Sequence, residues 1–215
     1  MSKKSLDGTC AICKSKVTKT GMKKHLQSCL QKNAVGEKAV VRTKPPVKLF
    51  HLLMEGYGLS EDLYWMHLKV LGSASFRDLD MFLRKSWLEC CGHMSAFYVD
   101  RAKVSMSRKL EDILRPGLKL LYEYDFGSTT ELLLTVVSEF EGNIKKGKVD
   151  ILARNEAPQI KCNQCGKPAK TICTECIYDD AGWLCDDCAG EHDCGPEMFL
   201  PLVNSPRTGV CGYAG

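Results

Sequence analysis

The sequence lacks the long apolar run that a membrane-spanning helix needs. No stretch of its 215 residues approaches about 18 consecutive apolar side chains. Its first residues are polar and basic and lead into a cysteine pair, so they lack the apolar centre of a secretory signal. We therefore expect a cytoplasmic protein without a membrane partner.

The signatures of common enzyme classes are also missing. The sequence contains no Gly-rich phosphate-binding loop, no nucleophile elbow and no three-ligand motif for an open metal site. No repeat of fixed period is present either. These absences favour a binding protein over an enzyme.

Cysteine, in contrast, is abundant. The chain has 13 cysteines, an odd number, and most occur as pairs separated by two residues. Thiols this close in sequence rarely bridge each other, but they chelate a tetrahedral metal well. Without an apolar leader, the pattern favours metal thiolates over a disulfide framework. The sequence therefore predicts zinc, with three ions: one near the N-terminus and two near the C-terminus.

The N-terminal ligands are Cys10, Cys13, His25 and Cys29. The two cysteines form a knuckle that supplies two ligands from one turn. His25 and Cys29 are four residues apart, so they lie on one face of a predicted helix. The spacing resembles the classical two-cysteine, two-histidine finger with cysteine as the last ligand. We predict a zinc finger over residues 1–30.

The finger is strongly basic. Residues 1–44 contain 11 Lys and Arg against two acidic residues. The lysines around the predicted helix start are Lys14, Lys16, Lys19, Lys23 and Lys24. A classical finger meets phosphates or the major groove there, although this helix has no Arg, the usual reader of guanine. We expect nucleic acid to be bound without base preference; contact with protein or a purely structural role are the alternatives.

The middle of the chain carries most of the large apolar residues. The polar segment 31–46 is predicted to be a linker, and residues 47–157 a central domain. In that domain, residues 64–71 alternate as in a strand, and apolar side chains between positions 76 and 87 recur at helical spacing.

Two local signals complete the prediction for the central domain. Ser75 stands where a helix cap would lie, and the turn at 127–130 separates two strand-like runs, as in a hairpin. The sequence thus predicts an α+β fold: an antiparallel sheet with a packed helix, flanked by two small zinc-stabilised modules.

The C-terminal segment 158–215 has few apolar side chains and eight closely spaced ligands. They are Cys162, Cys165, Cys173, Cys176, Cys185, Cys188, His192 and Cys194. Four pairs fit two closed, structural zinc sites. We prefer an interleaved pairing in which the first and third pairs form one site and the second and fourth the other. Cys211 is an alternative to Cys194 as the final ligand.

The order of these ligands resembles that of B-box and MYND-type modules, which as families bind proteins. Residues 160–215 contain eight acidic against four basic side chains. Phosphate would repel such a surface, so a protein partner is expected. Tyr178 and Trp183 are interpreted as part of the module's own core rather than as partner-binding aromatics.

Three stretches of the central segment, 76–83, 92–97 and 122–127, resemble in this order the plasmid pRiA4b ORF-3-like family. The resemblance spans about residues 64–137. It implies a helix packed on a curved antiparallel sheet, and a fold more than an activity, because members of the family are largely uncharacterised. Where the family motif continues with Asp, Trp and His, this chain has Ser128, Thr130 and Leu132.

His93 and Asp125 are the chemically suggestive pair of the central domain. The favoured interpretation is that His93 ends the helix-to-strand turn and Asp125 caps the hairpin. Cys90 and Cys91 are interpreted as core residues, because adjacent cysteines at a helix end seldom converge on one metal. The leading hypothesis is a zinc-binding adaptor or regulatory protein. The alternatives are an enzyme with a pocket near His93 and Asp125, or a purely structural assembly partner.

Overall fold

The chain folds mainly into antiparallel strands. The computed structural model describes residues 7–37, 45–58, 63–144, 147–179 and 181–215, with backbone only over 33–37. The strands are β1 (Asp7–Cys10), β2 (Lys16–Thr18), β3 (Val47–Gly56), β4 (Trp65–Leu71), β5 (Ser95–Val99), β6 (Ala102–Val104), β7 (Lys119–Tyr124), β8 (Thr130–Gly142), β9 (Val149–Asn155), β10 (Thr171–Cys173), β11 (Trp183–Leu184) and β12 (Phe199–Pro201). The helices are α1 (Lys19–Glu37), α2 (Phe76–Leu83) and α3 (Asp186–Gly190).

Nine strands form one sheet in the order β2-β1-β9-β4-β3-β8-β7-β5-β6, with every neighbouring pair antiparallel. Its two edge strands, β2 and β6, are three residues each. Such short edges offer little unpaired backbone to another chain. The expected antiparallel sheet and mixed α and β composition are confirmed. None of the described helices is long and apolar enough to cross a membrane.

The two faces of this sheet are covered by different helices. On β3 and β4, alternate residues such as Phe50, Leu52 and Met66 share a buried cluster with the apolar residues of α2. The residues between them face the other way, where Leu53 and Trp65 pack with Met22 and Leu26 of α1. This follows from the period of two along a strand.

The predicted local elements around α2 are present. Ser75 and Asp78 form a reciprocal capping box at its start, which satisfies two backbone N–H groups that have no partner within the helix. A π-helical turn, Arg84–Leu88, extends the helix and buries Trp87. The hairpin predicted on either side of residues 127–130 is formed by β7 and β8.

The N-terminal segment is continuous with the central sheet. Strand β1 pairs with β2 and, on its other side, with β9, where Gly8 lies opposite Asn155. A methyl group at Gly8 would collide with the Trp65 ring and the Arg154 carbonyl, so only glycine allows this approach. The predicted domain boundary at residue 30 therefore does not separate the finger from the central domain, because β1 and β2 belong to the central sheet.

Helix α1 also changes the expected linker. It runs to Glu37, so the first seven residues of the segment 31–46 are helical. Residues 38–44 of that segment lie outside the described residues. The prediction rested on polar composition, which is equally compatible with the last turns of a helix that is packed at its other end.

The C-terminal segment divides into a small cysteine-rich module and a tail that returns to the central sheet. Residues 161–201 form a three-stranded sheet, β11-β10-β12, with α3. The chain leaves the large sheet at Asn155 and returns at Asn204, and these two side chains are hydrogen-bonded at 2.8 Å. Asn204 also donates to the Asn155 carbonyl at 3.0 Å. The expected module over 158–215 thus includes a tail that packs elsewhere.

Arg207 anchors the tail in the central domain. Its side chain is fully buried and donates to the Asp125 carboxylate at 2.6 Å, to the Ser128 carbonyl at 2.8 Å and to the Thr130 hydroxyl at 3.1 Å. The guanidinium lies 4.9 Å from the centre of the Tyr124 ring. A buried charge is tolerated because it is paired and hydrogen-bonded in this way.

Two buried histidines meet on the α1-facing side of the sheet. His51 and His67 are joined ring to ring, Nε2 to Nδ1, at 2.7 Å, and each lies beside a register shift in its strand. Burial, with a smaller repulsion from Lys23, lowers the pKa of His51 to about 4. Burial, His51 and Lys23 lower that of His67 to about 3. Both rings are therefore neutral at pH 7.

This pair predicts a loss of stability in mild acid. The folded pKa values lie below the unfolded value of about 6.5, so the unfolded chain binds more protons, and stability falls as the pH drops below about 6.5. Between pH 6.5 and 5.5, the free energy of unfolding should fall by about 2 kcal/mol more in the native protein than in H51L/H67L. Urea unfolding at saturating zinc measures the difference. Parallel pH profiles for the two proteins would contradict the prediction.

Candidate metal centres

Among the residues that the structure describes, four clusters of cysteine and histidine have ligand atoms within metal-binding distance of one another. In each, one ligand atom from every member lies within 4.8 Å of all the others. They comprise Cys10, Cys13, His25 and Cys29; Cys162, Cys165, Cys185 and Cys188; Cys173, Cys176, His192 and Cys194; and Cys90, Cys91, His93 and Cys211. Each of the 13 cysteines belongs to one of these clusters, and none forms a disulfide.

The finger cluster is assembled by the β1–β2 hairpin and by α1. The His25 Nε2 atom lies 3.2 Å from the Cys13 sulfur and 3.3 Å from the Cys29 sulfur, and the two sulfurs are 3.7 Å apart. His25 and Cys29 come from successive turns of the helix, as their spacing predicts. The geometry brings together the four residues singled out from the sequence.

Thiols this close influence one another's ionisation. Hydrogen bonds with the side chain and backbone of Ser15 lower the pKa of Cys13 to about 6. Burial, together with the neighbouring sulfurs, raises the pKa of Cys29 to about 11. A thiolate at Cys13 therefore opposes the ionisation of Cys29. A divalent cation would reverse this effect, because each thiolate would then face a positive charge.

The C-terminal module holds two interleaved clusters. The first and third cysteine pairs come together, with the Cys165 and Cys185 sulfurs 3.5 Å apart. The second pair meets His192 and Cys194, with the Cys176 and Cys194 sulfurs 3.6 Å apart. Cys194, and not the alternative Cys211, therefore lies with the other three members of this cluster.

Backbone amides prepare these clusters for anionic sulfur. Burial raises the pKa of Cys162, but backbone hydrogen bonds, led by those of Cys165 and Cys185, outweigh it and lower the value to about 6. The same balance, with Cys176 and Glu175 as donors, gives about 7 for Cys173. The knuckles that begin at Cys162 and Cys173 therefore favour a thiolate at their first cysteine.

The fourth cluster was not foreseen in the sequence. Cys91 is exposed, so its interpretation as a core cysteine is wrong, and Cys90, half-buried, only flanks the core. Both lie with His93 and with Cys211, which follows Cys91 by 120 positions. The signal that could have revealed the cluster is the Cys-Cys-Gly-His string together with an unassigned thirteenth cysteine.

All four clusters have dimensions suited to zinc. A Zn–S distance of about 2.3 Å and a Zn–N distance of about 2.0 Å give tetrahedral edges of about 3.8 Å between sulfurs and about 3.5 Å between sulfur and nitrogen. The sulfur–sulfur separations run from 3.5 to 3.8 Å, close to the expected edge, and the sulfur–nitrogen separations from 2.9 to 3.3 Å, somewhat shorter than theirs. In the third cluster, the buried Nε2 of His192 has no hydrogen-bond partner among the described residues.

Asp125 and His93 face each other, but the carboxylate is already engaged. The His93 Nδ1 atom lies 3.4 Å from Asp125 Oδ1, which also accepts from the Gly127 backbone N–H at 3.0 Å. Asp125 Oδ2 is held by Arg207. Asp125 therefore caps the turn after β7, as expected, where its backbone has a positive φ of 65°.

The exposed aromatic of the C-terminal module differs from expectation. Tyr178 is 82% exposed, so its interpretation as a core residue is wrong, whereas Trp183 is half-buried. The short turn Cys176–Asp179 follows the second cysteine pair and points the tyrosine outwards. It stands beside the exposed acidic residues Glu175 and Asp179.

The fold and its clusters define a protein of antiparallel sheets and a few helices, with cysteine and histidine groups that could hold metal ions. Neither the scan against family models nor the search of curated proteins found a match. Among solved structures, the chain is similar to a protein of unknown function, MM3350 from Methanosarcina mazei Go1. The identity is 18%, the TM-score is 0.46, and the match covers 58% of this chain and 76% of that one.

Proposed function

We propose that this protein is a zinc-binding adaptor or regulator of the cytoplasm that uses its N-terminal finger to contact nucleic acid. The proposal keeps the three zinc ions expected from the sequence, one in the finger and two in the C-terminal module. The observation that carries it is the exposed, basic outer surface of α1. Four-ligand clusters leave no open position on a metal, which favours a structural role for zinc over a catalytic one.

The sheet leaves only one side of the finger available. Strand β1 is paired on both edges, and Met22 and Leu26 of α1 are buried against Trp65. The opposite side of α1 is exposed at residues 23, 24, 27, 28, 31 and 32. Nucleic acid would therefore meet this outer side of the helix and the adjoining knuckle.

The charges on that surface are positive. Lys23, Lys24 and Lys32 are exposed on α1, as is Lys14 on the knuckle, and no carboxylate of the described residues forms an ion pair with them. Lys19, which was expected to contribute, is instead half-buried and paired with Glu55 at 2.9 Å. Flexible lysines without an arginine suit phosphate contact rather than the reading of bases.

The proposal predicts salt-sensitive binding that depends on these lysines. Each phosphate neutralised should contribute about −0.9 to the slope of log affinity against log salt concentration for duplex DNA. In K23Q/K24Q, the slope should become shallower by about 1.8, and affinity should fall for every sequence tested. Fluorescence anisotropy with a mixed-sequence DNA duplex, repeated across a salt series, measures both quantities.

The matched control is K167Q/K170Q, which removes two lysines that pair with Asp187 and Asp186 in the C-terminal module. It should leave the salt slope unchanged and lower the affinity far less than K23Q/K24Q does. Equal affinity and slope for K23Q/K24Q and the native protein would reject the finger as the contact surface. Lack of affinity at low salt would reject the proposal as a whole.

The C-terminal module favours a second kind of contact, with protein. Exposed Tyr178 stands among Glu175 and Asp179, and further exposed acids lie at Glu191 and Asp193. An aromatic anchor surrounded by negative charge suits a basic partner protein. The enzyme alternative gains no support from the pair on which it rested, because Asp125 is committed to Arg207 and Gly127.

A further inference from the structure

We propose that Cys90, Cys91, His93 and Cys211 form a fourth zinc site, which fastens the C-terminal tail to the central domain. This site lies outside the finger and the C-terminal module, and the inference does not depend on nucleic-acid binding. It changes the expected metal content from three ions to four.

The loop that carries three of the ligands is held in one conformation. It follows the π-helical turn, and Gly92 has a φ of +82°, which lets the backbone turn sharply between Cys91 and His93. The Glu89 carboxylate accepts from the Gly92 N–H at 2.6 Å, from the Tyr124 hydroxyl at 3.1 Å and from Arg84 at 3.0 Å. This bracing explains how two adjacent cysteines can direct their sulfurs to one point.

The donor atoms converge at tetrahedral spacing. The Cys90 and Cys91 sulfurs are 3.6 Å apart, and the Cys91 and Cys211 sulfurs 3.8 Å. The His93 Nε2 atom lies 2.9 Å from the Cys91 sulfur and 3.2 Å from the Cys211 sulfur. Three thiols and one imidazole form a Cys₃His set, which zinc accepts in closed structural sites.

Groups behind the ligands orient them for a metal. The Asp125 carboxylate faces the Nδ1 side of His93, so Nδ1 can carry the proton while Nε2 faces the sulfurs. This is the carboxylate–histidine–metal arrangement. Arg207, paired with the same carboxylate, also lies 3.6 Å from the Cys90 sulfur and offsets the charge of a thiolate there. Because Nδ1 faces Asp125 and Nε2 faces the sulfurs, His93 is placed to bind a metal rather than to act as a base.

The site joins parts of the chain that are distant in sequence. Cys211 stands in the tail 120 positions after Cys91, and Arg207 anchors the same tail beneath it. Metal coordination would close this contact from the outside. Each of the other three clusters has at least one buried ligand, whereas these four are half-buried or exposed. We therefore expect this ion to exchange first with a chelator.

The experiment is metal analysis of full-length protein purified under reducing conditions. Native protein should contain four zinc ions per chain and C211S three, while C211H, which supplies a nitrogen ligand in place of the sulfur, should retain four. Mass spectrometry under native conditions counts the ions directly. The matched control is M94S, a polar substitution in the same loop at a side chain that is 71% exposed, and it should retain four.

Hydrogen exchange gives an independent measurement of the same site. Amides of residues 208–215 should exchange faster in C211S than in M94S, while those of β3 and β8 stay equally protected, which shows that the variant is folded. Equal zinc content in native protein and C211S would overturn the proposal. A Cys91–Cys211 disulfide in the native protein, detected by peptide mapping, would overturn it as well.

Discussion

Removal of zinc is expected to unfold residues 161–201 and to leave the nine-stranded sheet intact. The buried aliphatic side chains of this module are few, with Leu184 and Ile172 fully covered, so burial alone cannot compensate for its chain entropy. A structural zinc contributes about 10–16 kcal/mol of apparent binding energy. With excess chelator, amide protection in the module should fall to that of an unfolded chain, as measured by hydrogen exchange.

A single ligand substitution should produce a similar local effect. C165S removes a sulfur from the first module site, whereas its neighbour Gln164 is exposed, and Q164S is the matched control. We expect loss of protection in C165S and native protection in Q164S. The finger helix should respond less to chelator, because Met22 and Leu26 still pack on Trp65. Full protection of the module after metal removal would show that zinc does not stabilise it.

Loss of the Arg207 guanidinium is expected to destabilise the whole central domain. R207M keeps the length and apolar volume of the side chain but leaves the Asp125 carboxylate buried without its partner. Breaking a buried ion pair by removing one partner costs about 3–5 kcal/mol. The pKa of Asp125, which Arg207 holds below its usual range, should rise at the same time. Urea unfolding of the native protein and the variant gives the free-energy difference.

The control for this prediction is the double variant R207M/D125N. Asparagine keeps the turn cap to the Gly127 N–H and tolerates the positive φ, but it carries no charge. The double variant should therefore be more stable than R207M alone, which a double-mutant cycle would report as a favourable coupling between the two residues. Additive losses would mean that Arg207 acts through packing and not through its charge.

Local features of the fold could be predicted from the sequence because neighbouring residues specify them. The strand β4, the cap at Ser75 and the turn between β7 and β8 all depend on positions a few residues apart, although the first four residues of β4 are all buried and do not alternate. The finger and the interleaved clusters follow the same logic, since a knuckle of two cysteines is itself a local motif.

The remaining features depend on contacts between distant segments. Pairing of β1 with β9 depends on Gly8 meeting the Trp65 ring, and the tail finds its place through Arg207. Neither of these contacts can be predicted from composition. From the sequence alone, Cys90 and Cys91 look like core residues, because Cys211, which completes their cluster, lies 120 positions after Cys91. His51 and His67, which stand alone in the sequence, are paired only by the register of β3 and β4.

The contact between Asn155 and Asn204 has a consequence for how this protein can vary. Because the chain departs and re-enters at adjacent points, everything between them is an insertion with closely spaced ends. An insertion of this kind can be excised, lengthened or exchanged for another cassette without changing the path of the strands beneath it. The same sheet can thus carry a different module at this position.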